Sequence, residues 1–212
     1  KTAVKPEVFI DKDENGNLVV RINQPVPIKI NPALRRELLN EKMKSRNPEL
    51  YEYYKSKYQM AKTLYNALLY REITLRRIME AIVNWQKEFF LTGDKRLIKP
   101  MRLKDIASIA KCDISTVSRA TSSRYVDTYF GPVHLKTLFS EAIENERGEE
   151  ISASAIKAII KELIDNEDKR NPLTDLQIAR ILKDKGHSIA RRTVTKYRES
   201  MNIPPSKLRK TV

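Results

Sequence analysis

A mainly α fold is predicted, with a β-hairpin at the N-terminal end and two helix-turn-helix modules beyond it. Three observations carry this reading. From Glu49 to Thr92 the chain runs 44 residues without Pro or Gly, and apolar side chains recur there at helical spacing. Two later stretches each place a small alanine where two short helices would cross, followed by a helix rich in Ser, Thr and basic residues. β-Branched runs bounded by a turn occur only near the start, and strand signals are absent after residue 30.

The hairpin is read from Glu7–Ile10 and Leu18–Ile22, which flank a polar loop in which Gly16 supplies the positive φ of the turn. Pro25 and Pro27 then block a regular helix or a central strand. An isolated hairpin is marginal in water, so it is expected to belong to a domain whose earlier part precedes this chain. The absence of a starting Met points to a fragment of a longer protein.

Asn31-Pro32 opens a short helix to about Leu39, because a polar N-cap followed by Pro suits the first helical turn. Asn47-Pro48 repeats the signal. Leu64, Leu68, Leu75, Ile78, Ile82, Trp85 and Phe89 form a stripe of three-to-four spacing, broken once at Arg71. The long helix is placed at 57–91, and at 1.5 Å per residue it spans ~50 Å. The Tyr-rich start (Tyr51, Tyr53, Tyr54, Tyr58) reads as a separate helix with a kink, residues 31–56 as a helical linker, and Thr92-Gly93-Asp94 ends the long helix.

The first helix-turn-helix covers Leu103–Ala120. Ala107 is the small crossing residue, and Ile106, Ala110, Cys112, Val117 and Ala120 fall where a three-helix core needs apolar groups. Lys111 occupies the turn position that often holds Gly. Ser115 is read as the N-cap of the second helix, which would project Thr116, Ser118, Arg119, Ser122 and Arg124 outward. The acidic stretch 141–151 separates this module, 57–140, from the next, 152–212.

In the second module, Ala155, Ile156, Ile159, Ile160, Leu163 and Ile164 mark an amphipathic helix. Thr174 is the N-cap of a helix carrying Ile178, Ala179 and Leu182, Gly186 permits the turn, and a recognition helix follows from Ala190. Val194, Tyr197 and Met201 give that helix one apolar face; Arg191, Arg192, Thr195, Lys196 and Arg198 fill the rest. Arginines near the N-terminal end of such a helix suit the major groove, where Arg binds guanine O6 and N7 bidentately. Arg209-Lys210 and the last residues read as a mobile basic tail.

Charge agrees. The 212 residues carry 41 basic and 27 acidic side chains, net +14, and a chain this basic most often meets a polyanion. Residues 185–212 hold eight Lys/Arg against Glu199 alone, and 95–140 hold nine basic against three acidic residues, whereas 141–150 hold five Glu and one Arg. Enzyme chemistry finds no footing: two His, one Cys and five Gly offer no phosphate loop, no metal-ligand spacing and no activated nucleophile. No cofactor or metal is expected. The single Cys112 excludes an internal disulfide and fits a reducing cytoplasm, and no 18-residue apolar stretch could cross a membrane.

Ala190–Glu199 resembles, nearly letter for letter, the signature (RpoN box) of the sigma-54 family of bacterial transcription initiation factors; the family usually has Val-Ala where this chain has Val194-Thr195. Trp85–Gly93, Leu97–Ala107 and Ser115–Arg119 are similar to the family's long helix and the helix-turn-helix after it. Leu173-Thr174-Asp175 is similar to the lead-in of its C-terminal domain, and residues 7–30 to the end of its polymerase-core-binding domain. His134 stands where the family prefers an acidic residue. The resemblance implies a promoter-binding initiation factor, not an enzyme. The C-terminal domain would read a GG-containing −24 element through Arg191 and Arg192, with Thr195, Lys196, Arg198, Lys207 and Arg209 supporting or touching phosphates. The long-helix region would meet a −12 element through Ser115, Thr116, Ser118, Arg119 and Arg124. Centres 12 base pairs apart lie ~40 Å apart, on one side of the duplex, with the acidic linker setting the separation. The implied partners are double-stranded promoter DNA, the bacterial RNA polymerase core and an ATPase activator acting in trans. Two other readings compete: the DNA-binding arm of a transposase, recombinase or other two-module regulator, and a helical scaffold whose basic faces bind acidic proteins.

Overall fold

The computed structural model describes residues 7–23, 29–39, 41–144 and 150–211. Pro25, Pro27 and residues 145–149 of the acidic run lie outside them. Strands β1 (Val8–Lys12) and β2 (Leu18–Ile22) form the expected hairpin, with Gly16 at φ +80°. The Asp13 carboxylate accepts the Asn15 and Asn17 amides and so closes the loop. Helices α1 (Pro32–Leu38) and α2 (Glu41–Arg46) then lean on α3 (Pro48–Trp85).

The long helix differs from expectation at both ends. It starts at Pro48, where Asn47 accepts the Leu50 amide, and it runs unbroken through the tyrosines. Its 38 residues span about 57 Å. It stops at Gln86, short of Thr92. The fully buried Gln86 amide donates to the Lys99 carbonyl and accepts the Lys99 N–H, both at 2.8 Å, so a side chain pairs with the backbone there as a strand would. A separate helix α4 (Lys87–Thr92) follows and ends on Gly93 at φ +74°. The apolar stripe of α3 divides: Leu75, Ile78 and Ile82 are buried, whereas Leu64 and Leu68 are exposed on the projecting half.

A short 3-10 turn (Lys95–Leu97) leads to α5 (Leu103–Ala110) and α6 (Ile114–Thr121), the first helix-turn-helix. Strands are not confined to the first 30 residues. β3 (Tyr125–Thr128) and β4 (Gly131–His134) join the hairpin in one sheet of order β2-β1-β3-β4, with β1 and β3 parallel in the register Val8↔Val126. The hairpin is therefore not isolated. Val8, Ile10 and Val20 share a core with Ile78, Ile82, Phe89, Ile106, Val117 and Leu138. The parallel pairing joins segments more than 100 residues apart, so no local pattern could announce it.

After a 135–138 turn, β5 (Ala142–Glu144) pairs with β6 (Glu150–Ser152), so the stretch read as a linker begins and ends as a strand pair. Helices α7 (Ala153–Asp165), α8 (Asp175–Asp184) and α9 (Arg191–Ser200) then enclose a second core of Ile156, Ile160, Ile164, Ile178, Leu182, Ile189 and Val194. A last turn, α10 (Ser206–Arg209), follows. No helix among the described residues is long and apolar enough to cross a membrane.

Candidate nucleic-acid interface

The second module presents α9 on a scaffold built from its own sequence. Thr174 caps α8 by accepting the Gln177 amide, and Gln177 returns a carbonyl to the Thr174 N–H, a reciprocal capping box. Gly186 turns the chain at φ +90°. Val194 is buried, and Tyr197 and Met201 pack on the same core, so the face of α9 predicted to be apolar is the one turned inward. Tyr197 is a packing residue with Lys157 over its ring, and burial pushes its phenol above the ordinary value. Arg191 and Arg192 occupy the first two helical positions and are exposed, as is Lys196. Two guanidiniums thus stand at the positive end of the helix dipole, a place that favours anions and not cations. Among the described residues no carboxylate forms an ion pair with either.

Three basic residues expected to touch DNA point elsewhere. Arg198 has a side chain only 4% exposed. Its Nε and Nη2 donate to the two carboxylate oxygens of Asp175 at 2.8 and 3.0 Å, and Nη1 donates to the Ile203 carbonyl at 2.7 Å. Thr195 donates its hydroxyl to the same carboxylate at 2.8 Å. Burial works to raise the Asp175 pKa, but the Arg198 and Thr195 hydrogen bonds and the Arg198 charge outweigh it and hold it below its ordinary 3.8. Arg198 is in turn held protonated by that carboxylate. The sequence did carry a signal: Arg198 lies four residues after Val194, on the apolar stripe itself.

Arg209 is the second correction. Its side chain is 6% exposed and pairs with both oxygens of the fully covered Glu167 carboxylate at 2.7 and 2.9 Å. It also donates to the Leu173 and Pro204 carbonyls, and Thr211 N–H bonds to Lys169. The tail read as mobile is a strap over the 167–173 loop up to Thr211. Lys207 remains exposed.

In the first module, α6 begins at Ile114 with Asp113 in the N-cap position, so Ser115 sits inside the first turn instead of capping it. Ser115 and Arg119 are exposed, and Thr116 and Ser118 half-buried. Ile114 is also exposed, an apolar side chain at the helix start that the template reading passed over. Lys111 adopts the left-handed conformation, φ 53°, that its turn position demands. Cys112 packs beside the core, and burial raises its thiol pKa, as fits an inert side chain. Arg124 is the third correction. Its side chain is 18% exposed, Nε donates to the Ala120 carbonyl at 3.0 Å, and Nη1 pairs with Glu7. It ties the end of α6 to the hairpin. Among the described residues, no group of His, Cys, Asp and Glu could hold a metal ion.

Comparison with known proteins bears on the family and the fold. Residues 51–211 match the DNA-binding domain of sigma-54. RNA polymerase sigma-54 factor of Vibrio anguillarum is 39% identical over 207 residues, covering 98% of this chain and 41% of that protein. The Escherichia coli K12 factor is 38% identical over 209 residues, covering 98% and 43%. The chain therefore spans about two fifths of these relatives. The crystal structure of Aquifex aeolicus sigmaN bound to promoter DNA superposes with a TM-score of 0.60 at 32% identity, covering 99% of this chain and 61% of that one. With its signature helix turned outward on a matching fold, the chain belongs to the sigma-54 family of RNA polymerase factors.

Proposed function

We propose that this chain is the promoter-reading part of a sigma-54-type initiation factor, binding a −24 element with α9 and a −12 element with α6. The observation that carries the reading is the exposed Arg191–Arg192 pair at the start of a helix whose opposite face is anchored in its own core. Arg191 and Arg192 read guanine edges; Lys196 and Lys207 position the backbone without specifying sequence. On α6, Ser115, Thr116, Ser118 and Arg119 form the second reading surface. In the whole factor these contacts place the bacterial RNA polymerase core on promoters whose opening waits for an ATPase activator supplied in trans, in the cytoplasm.

The test is binding of the 212-residue chain to a duplex carrying GG and GC elements, against one with GG replaced, at ~0.15 M salt where phosphate contacts alone are weak. A loss of tenfold or more without GG is expected. Equal binding to both duplexes would reduce the chain to a non-specific basic binder and sink the reading.

A further inference from the structure

The two modules are joined by more than the covalent connection. α7 lies against the 95–97 turn of the first module. At its N-terminal end, the fully buried Ser152 hydroxyl accepts the Ala155 N–H at 3.0 Å and donates to the Ile98 carbonyl at 2.5 Å. One oxygen thus caps the helix and bonds across the joint. Ser154 adds a bond to the Thr137 carbonyl at 3.1 Å. Ala155 is fully buried yet belongs to neither core cluster. Further along, Arg96 forks: Nε and Nη2 hold Asp94 of its own turn at 3.0 and 2.7 Å, and Nη1 holds Glu162 of α7 at 2.9 Å.

Ser152 and Glu162 are ten residues apart, about 15 Å along the helix. One contact would leave a pivot; two at that separation block rotation. Both ends of the joint are rigidly held. On one side Gln86 clasps Lys99, tying the 95–100 segment to α3 and so to the core that carries α6. On the other, α7 packs directly on α9.

We propose that this two-point lock, Ser152 to Ile98 and Arg96 to Glu162, sets the spacing between DNA elements that the chain accepts. The inference rests on the two-element reading given above. Shifting one element by a base pair moves it ~3.4 Å and turns it ~34° about the duplex. A linker free to swivel would absorb that; a joint pinned at two points does not.

The experiment compares the chain with Ser152→Gly/Glu162→Arg, Arg96→Glu and the charge swap Arg96→Glu/Glu162→Arg. Gly keeps most of the capping preference while removing the hydroxyl. Each protein is titrated with duplexes whose GG and GC elements are separated in single-base-pair steps, and with a duplex carrying GG alone. In parallel, spin labels at Ser123→Cys and Lys185→Cys, in a Cys112→Ala background, report the distance between modules without DNA. The parent is expected to show one narrow distance and at least tenfold weaker binding on a one-pair shift. Ser152→Gly/Glu162→Arg should broaden the distance and bring shifted duplexes within about threefold of the best, with GG-alone affinity unchanged; the swap should retain a narrower profile than Arg96→Glu alone. An unchanged spacing profile in Ser152→Gly/Glu162→Arg, or a broad distance in the parent, overturns the lock. Failure of the two-element reading would look different: the parent would ignore loss of GG while keeping its narrow distance.

Discussion

Asp175, at the first position of α8, receives the guanidinium of Arg198 from α9 in a two-pronged pair, so the recognition helix is fastened to the helix before it by a side chain of its own signature. Breaking a pair of this burial leaves one charge unpaired, which costs more than the pair itself is worth. Arg198→Ala is expected to lower unfolding stability by about 3 kcal/mol. Asp175→Ala should cost a similar amount, and the double variant less than the sum of the two. Denaturant unfolding of all four proteins checks this; additive losses would count against the coupling.

Acid should loosen the same module. Asp175 and Glu167 both have pKa values below their ordinary 3.8 and 4.5. At Glu167, too, burial works upward and is outweighed by Arg209, the Leu173 N–H and Lys169. A carboxylate with a depressed folded pKa contributes stability that is present above its unfolded value and is lost as pH falls through the folded one. Melting temperature should hold above about pH 5 and fall progressively below about pH 4.5. Glu167→Gln should melt lower than the parent at neutral pH but with a shallower acid slope.

Lys111 takes a left-handed conformation that disfavours any side chain with a Cβ. Lys111→Gly is expected to raise stability by roughly 0.5 kcal/mol, the relief of strain exceeding the added freedom of the unfolded chain. The mirror case is Gly93, where a Cβ would meet the Phe130 ring at 3.0 Å. Gly93→Ala should lose at least about 1 kcal/mol by the same conformational argument. Urea midpoints decide both.

The basic residues should separate by experiment as they do by burial. Arg191→Ala or Arg192→Ala is expected to cost ~1–3 kcal/mol of binding and to relax preference at the GG element. Lys207→Ala should weaken all duplexes alike and reduce the salt slope by about one. Arg209→Ala should instead lower the melting temperature and leave the salt slope unchanged, because its charge is already spent on Glu167. A salt slope that falls in Arg209→Ala would return that residue to the DNA surface.

Much of this molecule was legible in its letters. The helices of both modules, the Gly16 turn and the Thr174 cap follow from neighbours three or four positions apart, and at these places the tertiary contacts agree with the short-range preferences. The outward arginines of α9 were legible for the same reason, since Val194, Tyr197 and Met201 specify which face turns in. What depended on distant partners was not. Arg209 and Arg124 look in sequence like any exposed basic residue, and the inward position of Arg198 on the apolar stripe does not name its partner; Glu167, Glu7 and Asp175, brought close by folding, hold the three inward. The parallel pairing of β1 with β3, the stop of α3 at Gln86 and the docking of α7 have the same cause. Sequence by itself determined the first hairpin, most of the helices and the face each helix presents, because backbone periodicity and capping act over a single turn; the strands after residue 30 it did not announce. Tertiary structure alone decided which charges remain free and how the two modules are held, because a long cationic side chain goes wherever a carboxylate is brought within reach.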